Sequence, residues 1–400
     1  LPATHALSNL SFRLSYGLIA GLNNIGNALP IMASTITPRF RNQDNERLIR
    51  ILSLQNSDLT WEKVYETNFG TDIGFLSNAI SLSVDLYQKN SKDLLDIVRT
   101  SGMGGEMNKY ANDASMTTRG IELVLDTRNF KTEDFTWSTS VNFAYFKQEI
   151  TSLANASNSV FNLVRETGGN VLGNPRNTLY SYDFAGLNSQ GMPLFNLKGG
   201  SRDYKDIDFQ DRDNILSYLK KEGAVDPNIT GGLSNTFRYK NWELNFLITM
   251  QAGNKIRKAP LYKGAGYDDL SVFPREFKNR WVAPGDEALT QIPGIVSQRT
   301  LNEENKAYIS RAYSAYNHST ARVVDGSFVR MKSISLSYTF DKEVLENLNL
   351  GNLTLRLQAS NPFLIYAHKD LNGQDPEFFR SGGVAYPITP QYTFTINLGI

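Results

Sequence analysis

Phe328-Val329-Arg330-Met331-Lys332-Ser333-Ile334-Ser335-Leu336-Ser337-Tyr338-Thr339-Phe340 alternates apolar with small polar residues over most of its length. Ile334, Leu336, Tyr338 and Phe340 share one face of a period-2 strand, and Ser333, Ser335, Ser337 and Thr339 share the other. In a soluble sheet the apolar face meets a core. In an outer-membrane barrel it meets lipid, and the polar face lines a wet lumen. One strand fits both.

The same alternation recurs along the chain. It marks Leu7 to Leu18, Val64 to Phe75, Ile80 to Leu86, Ile121 to Leu125, Phe135 to Tyr145, Leu233 to Tyr239, Trp242 to Met250, Leu353 to Leu357 and Tyr392 to Ile400. With the opening stretch this predicts about ten strands. The connections alternate between short and long. Short ones are Leu76 to Asn78, Asn129 to Asp134, Lys240-Asn241 and Asp341 to Asn352; long ones follow Tyr16, Tyr87, Tyr145, Met250 and Ser360. Lys89 to Met116 and Ala252 to Gly326 read as excursions, and Tyr180 to Leu187 with Pro193 to Leu197 as a small hairpin inside another. Outer-membrane barrels join their strands by short periplasmic turns and long extracellular loops, whereas a sandwich has no reason to put every long loop at one end. The fold expected is therefore all-β, an antiparallel transmembrane barrel wall. With the carboxy terminus periplasmic, Tyr338 and Phe340 fall at the periplasmic girdle, and Arg330 and Lys332 rise to the outer headgroup level.

Composition narrows the function. Lys plus Arg number 41 against 40 Asp plus Glu, a net charge of +1, so no global basic surface argues for nucleic acid. Cysteine is absent, which removes thiolate chemistry and disulfides. No apolar run approaches the roughly 18 residues of a transmembrane helix. The start, near Leu1, shows no basic-then-apolar leader, so the chain reads as beginning inside a fold. No Gly-x-Ser-x-Gly elbow, phosphate-cradling loop or dinucleotide fingerprint appears, and His5, His318 and His368 are isolated, so neither an enzyme nor a zinc site is expected. Asp206, Asp208, Asp211 and Asp213 are the carboxylates closest to calcium-loop spacing. Gln210, Asp211 and Ser217 occupy the positions that an EF-hand-type loop gives to an oxygen ligand, Gly and a bidentate acid, so a solvated acidic loop is the expectation and no cofactor is assigned.

Tyr262, Tyr267, Trp281, Tyr308, Tyr313 and Tyr316 crowd the longest loop. Such rings serve sugar or peptide ligands, with Trp281, Tyr313 and Tyr316 as candidates, or they pack the loop onto itself or a partner. Glu122, Asn142, Glu243 and Arg356 fall on the polar face and are the candidate lumen residues.

Several motifs together resemble the SusC-type TonB-linked outer-membrane transporters. They are Leu59-Thr60-Trp61-Glu62-Lys63 with Gly74-Phe75-Leu76-Ser77-Asn78, Thr118-Arg119-Gly120-Ile121-Glu122-Leu123, Gly231-Gly232-Leu233-Ser234-Asn235-Thr236-Phe237, Asn279-Arg280-Trp281 with Pro284-Gly285-Asp286, and Asp325-Gly326-Ser327-Phe328-Val329-Arg330-Met331-Lys332. The resemblance implies that residues 1–400 are the carboxy-terminal portion of a barrel of about 22 strands. It also implies a signal peptide, TonB-contacting segment and plug upstream, a SusD-like surface lipoprotein as partner, TonB as energiser, and glycan or peptide import through the outer membrane of a Gram-negative bacterium. Ile400 stands where such barrels often end in an aromatic. The rival readings are a self-contained passive barrel of about ten strands and a soluble glycan-binding β protein.

Overall fold

The computed structural model describes residues 6–21, 31–38, 45–53, 59–99, 108–153, 160–197, 199–201, 203, 206, 215–263, 272–303, 306–347, 350–377 and 389–399. Strand β1 (Leu7–Gly21) is followed by a hairpin, β2 (Ile31–Pro38) and β3 (Asn45–Ser53). Then come β4 (Glu62–Phe75), β5 (Ile80–Arg99), β6 (Asn108–Lys131) and β7 (Phe135–Leu153). The next long loop holds α1 (Val160–Leu163), β8 (Thr178–Tyr182), β9 (Phe184–Leu187), β10 (Pro193–Phe195) and β11 (Leu219–Ala224). A tight hairpin, β12 (Ile229–Tyr239) and β13 (Trp242–Ala252), leads to a second elaborate loop with β14 (Lys255–Arg257), α2 (Gln298–Glu303), α3 (Lys306–Asn317) and β15 (Val323–Asp325). The chain closes with β16 (Phe328–Thr339), α4 (Lys342–Asn347), β17 (Asn352–Ala367) and β18 (Gln391–Gly399).

One antiparallel sheet carries ten of these strands in the order β1-β4-β5-β6-β7-β12-β13-β16-β17-β18. Each is hydrogen-bonded to its sequence neighbour once the loop elements are set aside. Because opposed residues point to the same face, the register defines rungs across the wall. Arg13, Gly70, Asp85, Glu122, Ala144, Thr230, Gln251 and Phe328 make one polar-side rung. The other face runs from Phe135, Tyr239, Trp242, Tyr338, Leu355 and Ile396 at the turn end to Leu14, Phe69, Leu86, Ile121 and Tyr145. Phe135 and Tyr145 lie ten residues apart on β7. That is roughly 33 Å along the strand, or about 25 Å of height at a tilt near 40°, the height of a barrel's lipid-facing band. Aromatics cluster at its lower margin, where Trp242 and Tyr338 pack with ring centroids 4.7 Å apart. Asn235 also lies on this face, 7% exposed, and its Oδ1 accepts from Trp137 Nε1 at 2.8 Å and Thr139 Oγ1 at 2.7 Å. A polar group against hydrocarbon has to be satisfied by its neighbours in this way.

Five expectations change. Strands β5 and β6 continue through most of the predicted excursion between Lys89 and Met116. Beyond the apolar band both faces of a strand are wet, so the chain stays extended without alternating. The stretch after Tyr16 contains the β2–β3 hairpin, and Asp341 to Asn352 contains a helical turn rather than a bare turn. Strand β17 runs past Ser360 to Ala367 and takes in Pro362, at an irregularity where Asn361 has φ 50°. The fifth change concerns Arg330 and Lys332. Register shifts between Leu247/Ile248 and between Met331/Ser333 insert Lys332 as an extra residue, which inverts the facing of everything before it. Arg330 therefore points to the polar side and is 2% exposed, not at a headgroup level.

Candidate functional site

The polar face of the wall carries a charged, hydrogen-bonded lining. Arg13 pairs with Asp72 and reaches Asp85 at 3.3 Å, while Ser11 and Ser83 donate to Asp72 at 3.0 and 2.7 Å. Glu122 stands on the same rung as Asp85 and is exposed. Asn142 lies one rung nearer the turns, on the rung that includes Arg330. Glu243 accepts from Arg238 Nε at 2.6 Å, and Arg356 is on that rung two strands on. All four candidate lumen residues thus share the polar face, but at two levels: Glu122 and Asn142 midway, Glu243 and Arg356 by the turns. They converge on no single point. The lining offers charges and hydrogen bonds along a path.

At the loop end, two long loops fold into one module. Val160, Leu163, Tyr180, Tyr182 and Phe195 from residues 154–228 pack with Leu261, Tyr262, Phe277, Leu301, Ile309, Tyr313 and Tyr316 from residues 253–327. Tyr313 and Tyr316 are each 1% exposed. The Tyr313 hydroxyl donates to the Gly294 carbonyl at 2.5 Å, Tyr262 donates to the Pro293 carbonyl, and the Tyr262 and Tyr313 rings meet edge to face at 4.8 Å. Burial pushes the Tyr262 and Tyr313 hydroxyls far up and that of Tyr316 to about 12. Tyr313 and Tyr316, candidates for a ligand, are placed as core: neither ring has a face open to solvent. Tyr308 is 39% exposed and Tyr267 lies outside the described residues.

Trp281 is only partly buried. Its indole N–H donates to Glu287 at 3.0 Å, and its ring is clasped by Gly191 and Gly294, where added Cβ atoms would stand 2.4 and 2.6 Å from ring carbons. Gly191 also has φ +75°. Gly191→Val is expected to expel the ring and loosen the module by about 2–4 kcal/mol, strain and overpacking together. Faster proteolytic cutting of the loops with an unchanged strand wall is the readout; unaltered cutting would remove the clasp.

Sequence reasoning missed the buried ion pairs. Glu276 accepts from Lys258 Nζ at 2.8 Å and from Arg322 at 2.7 Å, with Arg322 1% exposed. Arg257 donates to the Tyr180 carbonyl at 2.7 Å and to Ser181 at 3.0 Å, and burial lowers its guanidinium to about 10. Arg330 pairs with Asp375 and lies 3.0 Å from Glu377. These join residues 46, 18 and 45 positions apart, and no local pattern announces them. Among the described residues no group of three or more His, Cys, Asp or Glu is placed to hold a metal. Asp206 accepts from Ser201, and Asp208, Asp211 and Asp213 lie outside the described residues.

Comparison with known proteins fits this geometry. Residues 5–253 match the family model described as TonB dependent receptor-like, beta-barrel. TonB-dependent receptor P39 of Formosa agariphila is 26% identical over 84% of this chain and 34% of its own length. TonB-dependent receptor SusC of Bacteroides thetaiotaomicron is 25% identical over 100% of this chain and 38% of its own. A structure of the RagAB peptide importer in the closed-closed state superposes with a TM-score of 0.76 at 24% identity, covering 99% of this chain and 41% of that one, which speaks for the fold. This chain spans between a third and two-fifths of the length of these two curated relatives. With the model matching more than half of it, the chain belongs to the TonB-dependent receptor-like β-barrel family.

Proposed function

We propose that this chain forms part of the wall and the outer loops of a TonB-energised importer that carries a nutrient, a glycan or a peptide, across the outer membrane. The observation that carries the reading is the two-faced wall. A lipid-facing apolar band about 25 Å high backs a charged lining, and every long connection sits at one end. Strands β1 and β18 each have one neighbour in the sheet and do not pair with each other. A self-contained barrel of ten strands would pair them, so further strands of a larger barrel are the better account of those margins. The relatives' names supply TonB dependence, and the superposed RagAB structure is called a peptide importer; a SusD-like lipoprotein partner belongs to the same reading. The relatives are named as receptors, so the reaction class that fits is transport without covalent chemistry. Trp281, only partly buried, is the candidate among the three aromatics that keeps exposed surface, beside Glu122 and Asn142 on the wall.

The test is uptake by cells bearing the intact protein. Labelled oligosaccharide and oligopeptide pools are offered in the presence and absence of TonB. At least one pool is expected to enter only with TonB; entry that ignores TonB would replace the importer by a passive pore.

A further inference from the structure

The lipid-facing side changes character abruptly above the apolar band. The next rung is Tyr16, Thr67, Gln88, Arg119 and Lys147, followed by Leu18, Tyr65, Asn90, Thr117 and Glu149, then Ala20, Lys63 and Lys92. Arg119 and Lys147 stand directly opposite each other, and so do Lys63 and Lys92. Like charges in that relation repel. Lys63 is relieved by Asp93 at 2.7 Å, whereas Lys92, Arg119 and Lys147 form no ion pair among the described residues, Glu149 one rung out included. Arg119 Nε is held toward Gln88 at 2.9 Å, and Asn90 accepts from Gln88 and Thr117, so the polar rungs are tied together. Beside them, next to the register shifts between Ser91 and Leu94 and between Ser115 and Met116, lies a hollow of about 470 Å³ lined by Tyr16, Tyr65, Asn90, Lys92 and Thr117 among others, with the Lys92 ammonium 5.7 Å from the Tyr65 ring centroid.

We propose that this surface binds the phosphorylated headgroup of an outer-leaflet glycolipid. Phosphate between Arg119 and Lys147 or at Lys92 turns a repulsive pair into charge-assisted hydrogen bonds, and the exposed Tyr16 offers a flat face to a sugar. A lipid is the occupant because the site is continuous with the apolar band: a headgroup held there leaves its acyl chains on Leu14, Phe69 and Leu86. The inference rests on the barrel standing in the outer membrane, as proposed above, and is independent of what the protein imports.

The test uses the full-length protein extracted from outer membranes in mild detergent, with retained phosphorylated glycolipid measured by native mass spectrometry. Arg119→Gln with Lys147→Gln is expected to cut retention roughly thirtyfold, about fivefold per cation lost near an anionic surface. Glu149→Gln is expected to raise it. In nanodiscs of phosphatidylethanolamine, adding lipid A should raise the thermal midpoint of the wild type and not of the double variant. Dephosphorylated lipid A and inorganic phosphate should do neither. Equal retention by the double variant, or the same rise with dephosphorylated lipid or free phosphate, overturns the proposal. Protein that appears in the soluble fraction without detergent overturns the membrane reading and this site with it; failed uptake with normal lipid retention strikes only the importer.

Discussion

Arg330→Ala releases the last long loop from the wall. The Arg330 and Asp375 side chains are 3% and 1% exposed, with Glu377 3.0 Å from the guanidinium on its other side. Removing the cation leaves a buried carboxylate with only the Glu377 backbone N–H, 3.1 Å from its Oδ1, and no counter-charge, a change that costs about 3–5 kcal/mol. The loop has a cheaper response than unfolding: it lifts Asp375 into water. Amide exchange around Leu371 to Glu377 is therefore expected to quicken by two orders of magnitude or more, about the factor that 3 kcal/mol provides. The β16–β17 ladder should stay protected. Arg330→Met with Asp375→Asn removes both charges and should restore most of the protection. If the single variant exchanges like the wild type, the pair is not what fastens the loop.

Glu276→Ala is the corresponding break in the loop module, where it strands Arg322 at 1% exposure and Lys258 at 12%. A loss of about 3–5 kcal/mol is expected, enough to melt the module while the strand wall persists. Acid should do the same reversibly. Burial would raise the Glu276 carboxyl, but Arg322 and Lys258 outweigh it and hold it below its ordinary 4.5. A carboxyl lowered on folding adds stability that is complete above its unfolded value and disappears as pH falls through the folded one. Asp325 has the same sign: burial would raise it, and Ser327 and Lys255 prevail. Loop accessibility to protease should thus rise below about pH 4.5, where Glu276→Gln, already lacking the pair, should show a shallower dependence. An identical acid profile in that variant would assign the transition to other groups.

The wall was legible because each strand in lipid must show hydrocarbon to one side and polarity to the other. Ile334 and Leu336 against Ser335 and Ser337 state that requirement in four residues. Alternation fell silent where the requirement ends, as in Lys89 to Arg99, and it misled at Arg330, because one bulged residue reverses parity without altering composition. The aromatic loop was ambiguous for a different reason. Tyr313 in a core and Tyr313 on a ligand are the same letter, and only burial separates them. Arg322 and Arg330 carried no local signal, since their partners arrive from other turns of the chain. The side of the wall on which Glu122, Asn142, Glu243 and Arg356 lie did follow from period 2 alone.

The shared core of the two great loops limits how such a protein diversifies. Residues 154–228 and 253–327 interlock through Tyr182, Phe195, Tyr262 and Tyr316, while each is rooted between different wall strands. A graft that transplants one loop from a relative brings half of an interface and leaves the host's half bare to water. A change to either loop therefore has to be matched in the other, with both exchanged together or altered only at the rim of the shared core, where Trp281 stands.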